Sequence, residues 1–244
     1  MKNIKKLICI ITAVVALFSI TACNGKDYGS YFTEEGLCYA KNRTDGEYGI
    51  GIGGIDPDCG LRNAALFVPY KIEGKTVTKL GTSFTGLGVF TNYDLGENLV
   101  SRYYAPSTIN SVWNGYMSWC DENFTLFYCA DKNLDLSLFG LAACCEIYVP
   151  FDDYDTLVKN SKKCFAAIKK ANIAYMLSEN TYYYVDFYET NSKILYIPPV
   201  PEKQGYTFGG WHTDKAFTNE WNFETDTILN SKEEIKLYAN WIQN

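Results

Sequence analysis

Histidine is nearly absent: His212 stands alone among 244 residues. A Ser–His or Cys–His catalytic set would have to use it, yet no Gly-x-Ser-x-Gly phrase supplies a nucleophile. It follows Trp211 directly. Cys-x-x-Cys is absent as well, and the cysteine spacing does not suit a tetrahedral zinc site. Beyond the N-terminal region no apolar stretch is long enough to cross a bilayer. Basic residues are few. Without Lys2, Lys5 and Lys6, 19 of them face 28 acidic ones, a charge of about −9. No basic patch exists, which argues against a nucleic-acid partner. Gly49, Gly51, Gly53 and Gly54 are followed by no Lys-Ser/Thr pair, so a phosphate loop is not expected. Asp56 and Asp58 flank Pro57 in numbers too small for a calcium loop, and read as turn residues. These gaps predict no catalytic residue, no metal and no cofactor, and so a protein that is not an enzyme. Carboxylate pairs for glycoside cleavage meet only in space, so the sequence leaves that chemistry open.

What is present begins at the N-terminus. Three lysines precede an apolar run from Leu7 to Ile20 that only Thr12 and Ser19 interrupt. Ser19-Ile20-Thr21-Ala22-Cys23 follows, with small residues just before the cysteine. The arrangement has the charge layout of a secretory signal and resembles the lipobox of bacterial lipoproteins. The resemblance implies that Cys23 is the lipid-attachment residue and that residues 1–22 are a signal peptide. Residues 23–30 would then be a tether. It also implies a partner in the membrane and a location on the outer side of a bacterial cell envelope. Two or more acyl chains would hold stably, each buried methylene contributing roughly 0.8 kcal/mol. Cys9 would leave with the signal. Seven cysteines then remain: Cys38, Cys59, Cys120, Cys129, Cys144, Cys145 and Cys164. An odd number cannot all pair within one chain, and most are expected to be small buried thiols.

The rest reads as mainly β with minor α. Gly36–Ala40 and Glu47–Ile52 flank an Asn/Asp/Gly-rich turn and predict a hairpin over residues 36–55. Short β runs then recur: Ala65-Leu66-Phe67-Val68, Arg102-Tyr103-Tyr104-Ala105, Thr125-Leu126-Phe127-Tyr128 and Glu146-Ile147-Tyr148-Val149. Aligning Tyr104, Phe127 and Tyr148 gives steps of 23 and 21 residues, within the period of leucine-rich repeats. The step from Phe67 to Tyr104 is longer, 37 residues. Cys120 and Cys144 fall in step with these runs. Val68-Pro69, the phrase Val77-Thr78-Lys79-Leu80-Gly81 and Val149-Pro150 resemble the cell-surface leucine-rich repeats of the BspA type. That resemblance implies an N-terminal hairpin cap and a short, degenerate repeat region over residues 31–150. Tyr103-Tyr104 and Tyr182–Tyr184 could stack on sugar rings, although aromatic strand packing is the plainer reading.

Pro150 opens a change of period. Asp152 or Asp153 is placed to cap a helix whose face would carry Leu157, Val158, Cys164, Phe165 and Ile168. Residues 151–180 are therefore expected to be a helical connector. Strands are predicted at Tyr182–Tyr188 and Ile194–Ile197, the second stopped by Pro198-Pro199. Then come Gly205-Tyr206-Thr207-Phe208-Gly209-Gly210-Trp211, Trp221-Asn222-Phe223 and Leu237-Tyr238-Ala239-Asn240-Trp241. This set strongly resembles the Listeria–Bacteroides repeat, the internalin-type B repeat. The resemblance implies a small β-grasp-like module over residues 181–244. Tyr206, Phe208, Trp211, Trp221, Phe223 and Trp241 would form its core. Together these readings predict a membrane-anchored, non-enzymatic surface lipoprotein that contacts an unknown surface or extracellular protein. The alternative is a carbohydrate-binding or glycan-processing lipoprotein.

Overall fold

The computed structural model describes residues 65–80, 102–112, 125–136, 145–161, 164 and 166–244, together with strands at 30–32, 37–41 and 50–55. Among the described residues the protein is mainly β, with one α-helix.

The first sheet begins with β1 (Ser30–Phe32), β2 (Leu37–Lys41) and β3 (Ile50–Ile55), paired antiparallel in that order. The hairpin expected over 36–55 is therefore β2 and β3. The expected tether overlaps this sheet at Ser30, which pairs with Ala40. β3 runs parallel to β6 (Lys75–Leu80), which also pairs antiparallel with β5 (Lys71–Ile72) and parallel with β8 (Ser111–Val112).

The second sheet is parallel throughout: β4 (Ala65–Phe67), β7 (Arg102–Ala105), β9 (Thr125–Cys129), β10 (Cys145–Val149) and β11 (Ala167–Lys170). Its alternation sends Leu66, Val68, Tyr103, Ala105, Ile147 and Val149 to one side, where they meet Val77, Leu80, Ile109 and Val112 in a closed core. Fully burying an apolar side chain of this kind contributes on the order of 1.5–3 kcal/mol. Proline follows Val68, Ala105 and Val149, where it ends the strand without costing a ladder donor inside it. The register corrects the expected alignment. Tyr104 lies opposite Tyr128, not Phe127, and Tyr128 lies opposite Tyr148. The steps are thus 24 and 20 residues, and the one-residue difference decides which face each ring occupies.

Helix α1 (Tyr154–Asn160) is shorter than expected. Asp153 occupies its N-cap position but makes no side-chain cap bond, while Asp155 lies in the first turn. The helix stops because Ser161 is drawn into the core, where its hydroxyl accepts the Leu136 N–H at 3.1 Å. Ile168, Lys169 and Lys170 therefore lie in β11, not on a helix.

The third sheet has the order β13 (Thr181–Asp186), β12 (Ile173–Ser178), β15 (Ile235–Gln243) and β14 (Tyr206–His212). β12 and β15 are parallel, and the other two pairings are antiparallel. The module thus begins with β12, not at residue 181. Only Ala171 and Asn172 separate β12 from the last strand of the parallel sheet. Buried Asn172 ties the junction: its amide donates to the Tyr188 carbonyl at 2.7 Å and its side-chain oxygen accepts the Tyr188 N–H at 3.0 Å. Residues 194–197 form no strand; Ile194 is buried while Leu195 and Ile197 are exposed. β14 has a register shift between Phe208 and Trp211, where Gly210 takes φ +100°. Trp211 and Trp221 are buried, and Phe208, Phe223 and Trp241 pack against them in part, but Tyr206 is exposed.

Candidate functional site

The second face of the parallel sheet is where the two halves of the chain meet. In-register parallel strands lie about 4.8 Å apart, which is also a stacking distance for rings. Phe67 stacks on Tyr104 with centroids 4.1 Å apart, Tyr104 on Tyr128 at 4.6 Å, and Tyr128 on Tyr148 at 5.1 Å. Phe187, just past β13, extends the column by stacking on Tyr148 at 5.0 Å. β13 covers this column. The Tyr184 hydroxyl donates to the Val68 carbonyl at 2.6 Å, and the Ser107 hydroxyl donates to the Tyr182 carbonyl. One hydrophobic cluster consequently holds Tyr104, Tyr128 and Tyr148 together with Ile173, Tyr175, Tyr184, Trp211, Trp221 and Leu237.

A buried polar knot lies in this layer. The Asp186 carboxylate has no exposed surface. It accepts the Tyr104 hydroxyl at 3.0 Å and the Phe187 N–H at 2.8 Å, and Arg102 Nη1 reaches it at 3.4 Å. Burial raises its pKa to about 7, against the opposing pull of these donors and of the Tyr188 hydroxyl. Burial likewise raises the pKa of the Tyr104, Tyr128 and Tyr188 hydroxyls, so the phenols stay neutral. The Arg102 guanidinium carbon lies 5.6, 5.4 and 5.1 Å from the ring centroids of Tyr128, Tyr188 and Tyr196, an aromatic enclosure suited to a cation. Tyr188 is held in place because its hydroxyl accepts the Leu195 and Tyr196 N–H groups at 3.0 and 2.9 Å.

Arg102 is 22% exposed and opens onto a groove of about 550 Å³ beside the 187–195 segment. Tyr148, Phe187, Glu189, Ser192 and Lys193 also line it. Glu146, at the same groove, accepts the Tyr148 hydroxyl at 3.0 Å and is paired with Lys169. The arrangement offers a cation, an aromatic wall and a mixed polar rim, features that suit ligand binding.

The other candidates are distributed as follows. His212 is buried; its Nε2 lies 3.4 Å from the Gly209 carbonyl and 3.5 Å from the Asn240 amide, and the Phe217 ring meets it edge-on. Its place in the β14–β15 pairing is structural. Tyr103, Tyr104, Tyr182, Tyr183 and Tyr184 are all buried, so they pack strands and present no face to a sugar. Gly51, Gly53 and Gly54 lie inside β3. Cys129 and Cys164 are free thiols, and burial pushes the Cys129 thiol up to about 12. Cys23, Gly49, Asp56, Asp58, Cys59, Cys120, Cys144 and Phe165 lie outside the described residues. Among the described residues no three His, Cys, Asp or Glu side chains could share a metal, and no helix is long and apolar enough to cross a membrane. Sequence reasoning missed the Arg102–Asp186 knot. Its signal was an acidic residue closing the aromatic run Tyr182-Tyr183-Tyr184-Val185.

Residues 172–240 match the Listeria-Bacteroides repeat domain. The match begins at the Asn172 junction, in agreement with the start of the third sheet. The chain is 48% identical over 50 residues to a protein of Evansella cellulosilytica named as a Gly-rich membrane protein. It has the same identity over the same length to a second protein of that organism named as a membrane protein. It is 38% identical over 53 residues to Internalin H of Listeria monocytogenes. These stretches cover 20%, 20% and 22% of this chain, but only 5%, 7% and 9% of the respective relatives.

Proposed function

We propose that this chain is a non-enzymatic bacterial surface protein, lipid-anchored through Cys23, in which the repeat-like sheet and the C-terminal module act together as one contact unit. The observation that carries this reading is the match of residues 172–240 to the Listeria-Bacteroides repeat, beside short stretches of similarity to proteins named as a membrane protein and as an internalin. The Ser19–Cys23 phrase supports the anchor. The parallel strand stacking at residues 65–170 supports a short repeat region of the leucine-rich, BspA type. The partner in this reading is a surface or extracellular protein. Metabolic labelling with palmitate tests it: the native protein takes up label and sediments with membranes, whereas Cys23→Ser does neither. Equal labelling of both forms, or of neither, overturns the anchor.

A second reading, contact with a glycan, draws support from the groove at Arg102, with its ring-lined wall and polar rim. It no longer draws on Tyr103, Tyr104 or Tyr182–Tyr184.

A further inference from the structure

The Arg102 guanidinium is only half committed. A guanidinium presents five N–H donors in a planar fork. Of these, Nη1 reaches acceptors among the described residues, at the long distances of 3.5 Å to Tyr104 and 3.4 Å to Asp186. Among the described residues, Nη2 and Nε have no acceptor. Asp186 is sealed, but Arg102 keeps some exposure, and its side chain lines the groove. A planar fork with a free edge suits a carboxylate, which can take two parallel N–H bonds.

The groove narrows the choice of carboxylate. Glu146 is already neutralised by Lys169 and the Tyr148 hydroxyl, so it does little to repel an anion. Lys193 donates to the Glu224 carbonyl and adds positive charge at the rim. Glu189 is exposed and Ser192 half-buried. These two suit hydroxyl groups, one as an acceptor and one as both donor and acceptor. Phe187 is half-buried and lends an apolar wall to the C–H face of a ring. A chain-terminal peptide carboxylate is typically captured by a nest of backbone N–H groups, whereas the polar groups used here are side chains of both signs.

We propose that this groove binds a carboxylate-bearing sugar, with its carboxylate on the free edge of Arg102 and its ring beside Phe187. The proposal rests on the glycan reading above, and names the class of glycan.

Glucuronate is the probe, titrated into the full-length protein in detergent by calorimetry, with glucose and N-acetylalanine as controls. Saturable binding is expected for glucuronate. Glucose, lacking the charge-assisted pair, should bind at least about tenfold more weakly. Arg102→Lys should weaken glucuronate by about tenfold or more, and Glu189→Gln by about threefold. Because Arg102 also holds the knot, chemical-shift mapping on the native protein provides an independent readout: the Phe187, Glu189 and Ser192 amides should move on adding glucuronate. Equal affinity for glucose removes the role of Arg102. N-acetylalanine binding as tightly as glucuronate makes the groove a peptide-carboxylate site and overturns the sugar assignment. Shifts confined to other surfaces, or no saturation at millimolar glucuronate, overturn the site itself. None of these failures alters palmitate labelling at Cys23, so the surface reading stands or falls separately.

Discussion

In the parallel sheet, residues that stack on one another come from positions 37, 24 and 20 apart in the chain. In the C-terminal module, Glu179-Asn180 alone join β12 to β13, and loops are tied by their own side chains. Asp214, for example, accepts the backbone N–H groups of Ala216, Thr218 and Asn219. The parallel sheet depends on register and on distant partners, whereas much of the module is specified locally. The difference teaches why the two halves are built together. The sheet stacks a whole column of rings, Phe67 to Tyr148, on the face opposite its first core. The module covers that column, and β13 belongs as much to the sheet's second core as to its own.

Cutting the tie between the regions should have the largest effect. Tyr184 is fully buried, meets the Phe67 ring edge-on at 5.2 Å and holds the Val68 carbonyl. Tyr184→Ala should cost about 3–5 kcal/mol in urea unfolding. Tyr206→Ala, at an exposed ring of the same module, should stay within about 1 kcal/mol. Equal costs would mean that the shared layer contributes nothing special.

A pH series sharpens the comparison at the buried knot. Asp186 has a folded pKa raised from 3.8 to about 7, so the folded state binds its proton more tightly than the unfolded state does. Its contribution to stability is fully present below pH 3.8 and is lost as pH rises through 7. Stability attributable to this group should fall by up to about 1.4 kcal/mol per pH unit between those limits. Asp186→Asn should flatten that part of the profile, and an unchanged profile would contradict the assignment.

The smallest effect is expected at the outer edge of the contact. Lys236 pairs with Asp152 at 2.6 Å and Glu234 at 3.2 Å, bridging module and connector, but Asp152 is largely exposed. Lys236→Ala should cost less than about 1 kcal/mol and should matter less still at high salt.

Local chemistry was legible in the sequence, and pairing between distant segments was less so. The hairpin, four of the five parallel strands and the Gly205–Trp211 and Leu237–Trp241 strands were readable, because turn residues and alternation are written where they act. The register was off by one at Phe127, since period alone does not say which ring faces which side. Ile194–Ile197 reads as a strand by composition, but it pairs with no strand among the described residues. Ile168 fits a helix face by spacing, yet Ser161 ends the helix by bonding a residue outside that segment, Leu136. The expected core of Trp211 and Trp221 is present, while Tyr206 lies outside it. The Arg102 groove was the hardest to foresee, because its cation is held by a carboxylate, Asp186, 84 residues away in the chain.

Native-state hydrogen exchange on the full-length protein tests the shared core most directly. Backbone amides of Tyr104 in β7 and Tyr184 in β13 should exchange through one common opening, with equal free energies that fall together in Tyr184→Ala. If the amides of β13 and β12 stay protected while those of β7 and β9 exchange freely, the parallel sheet and the module are separate folding units and the account is wrong.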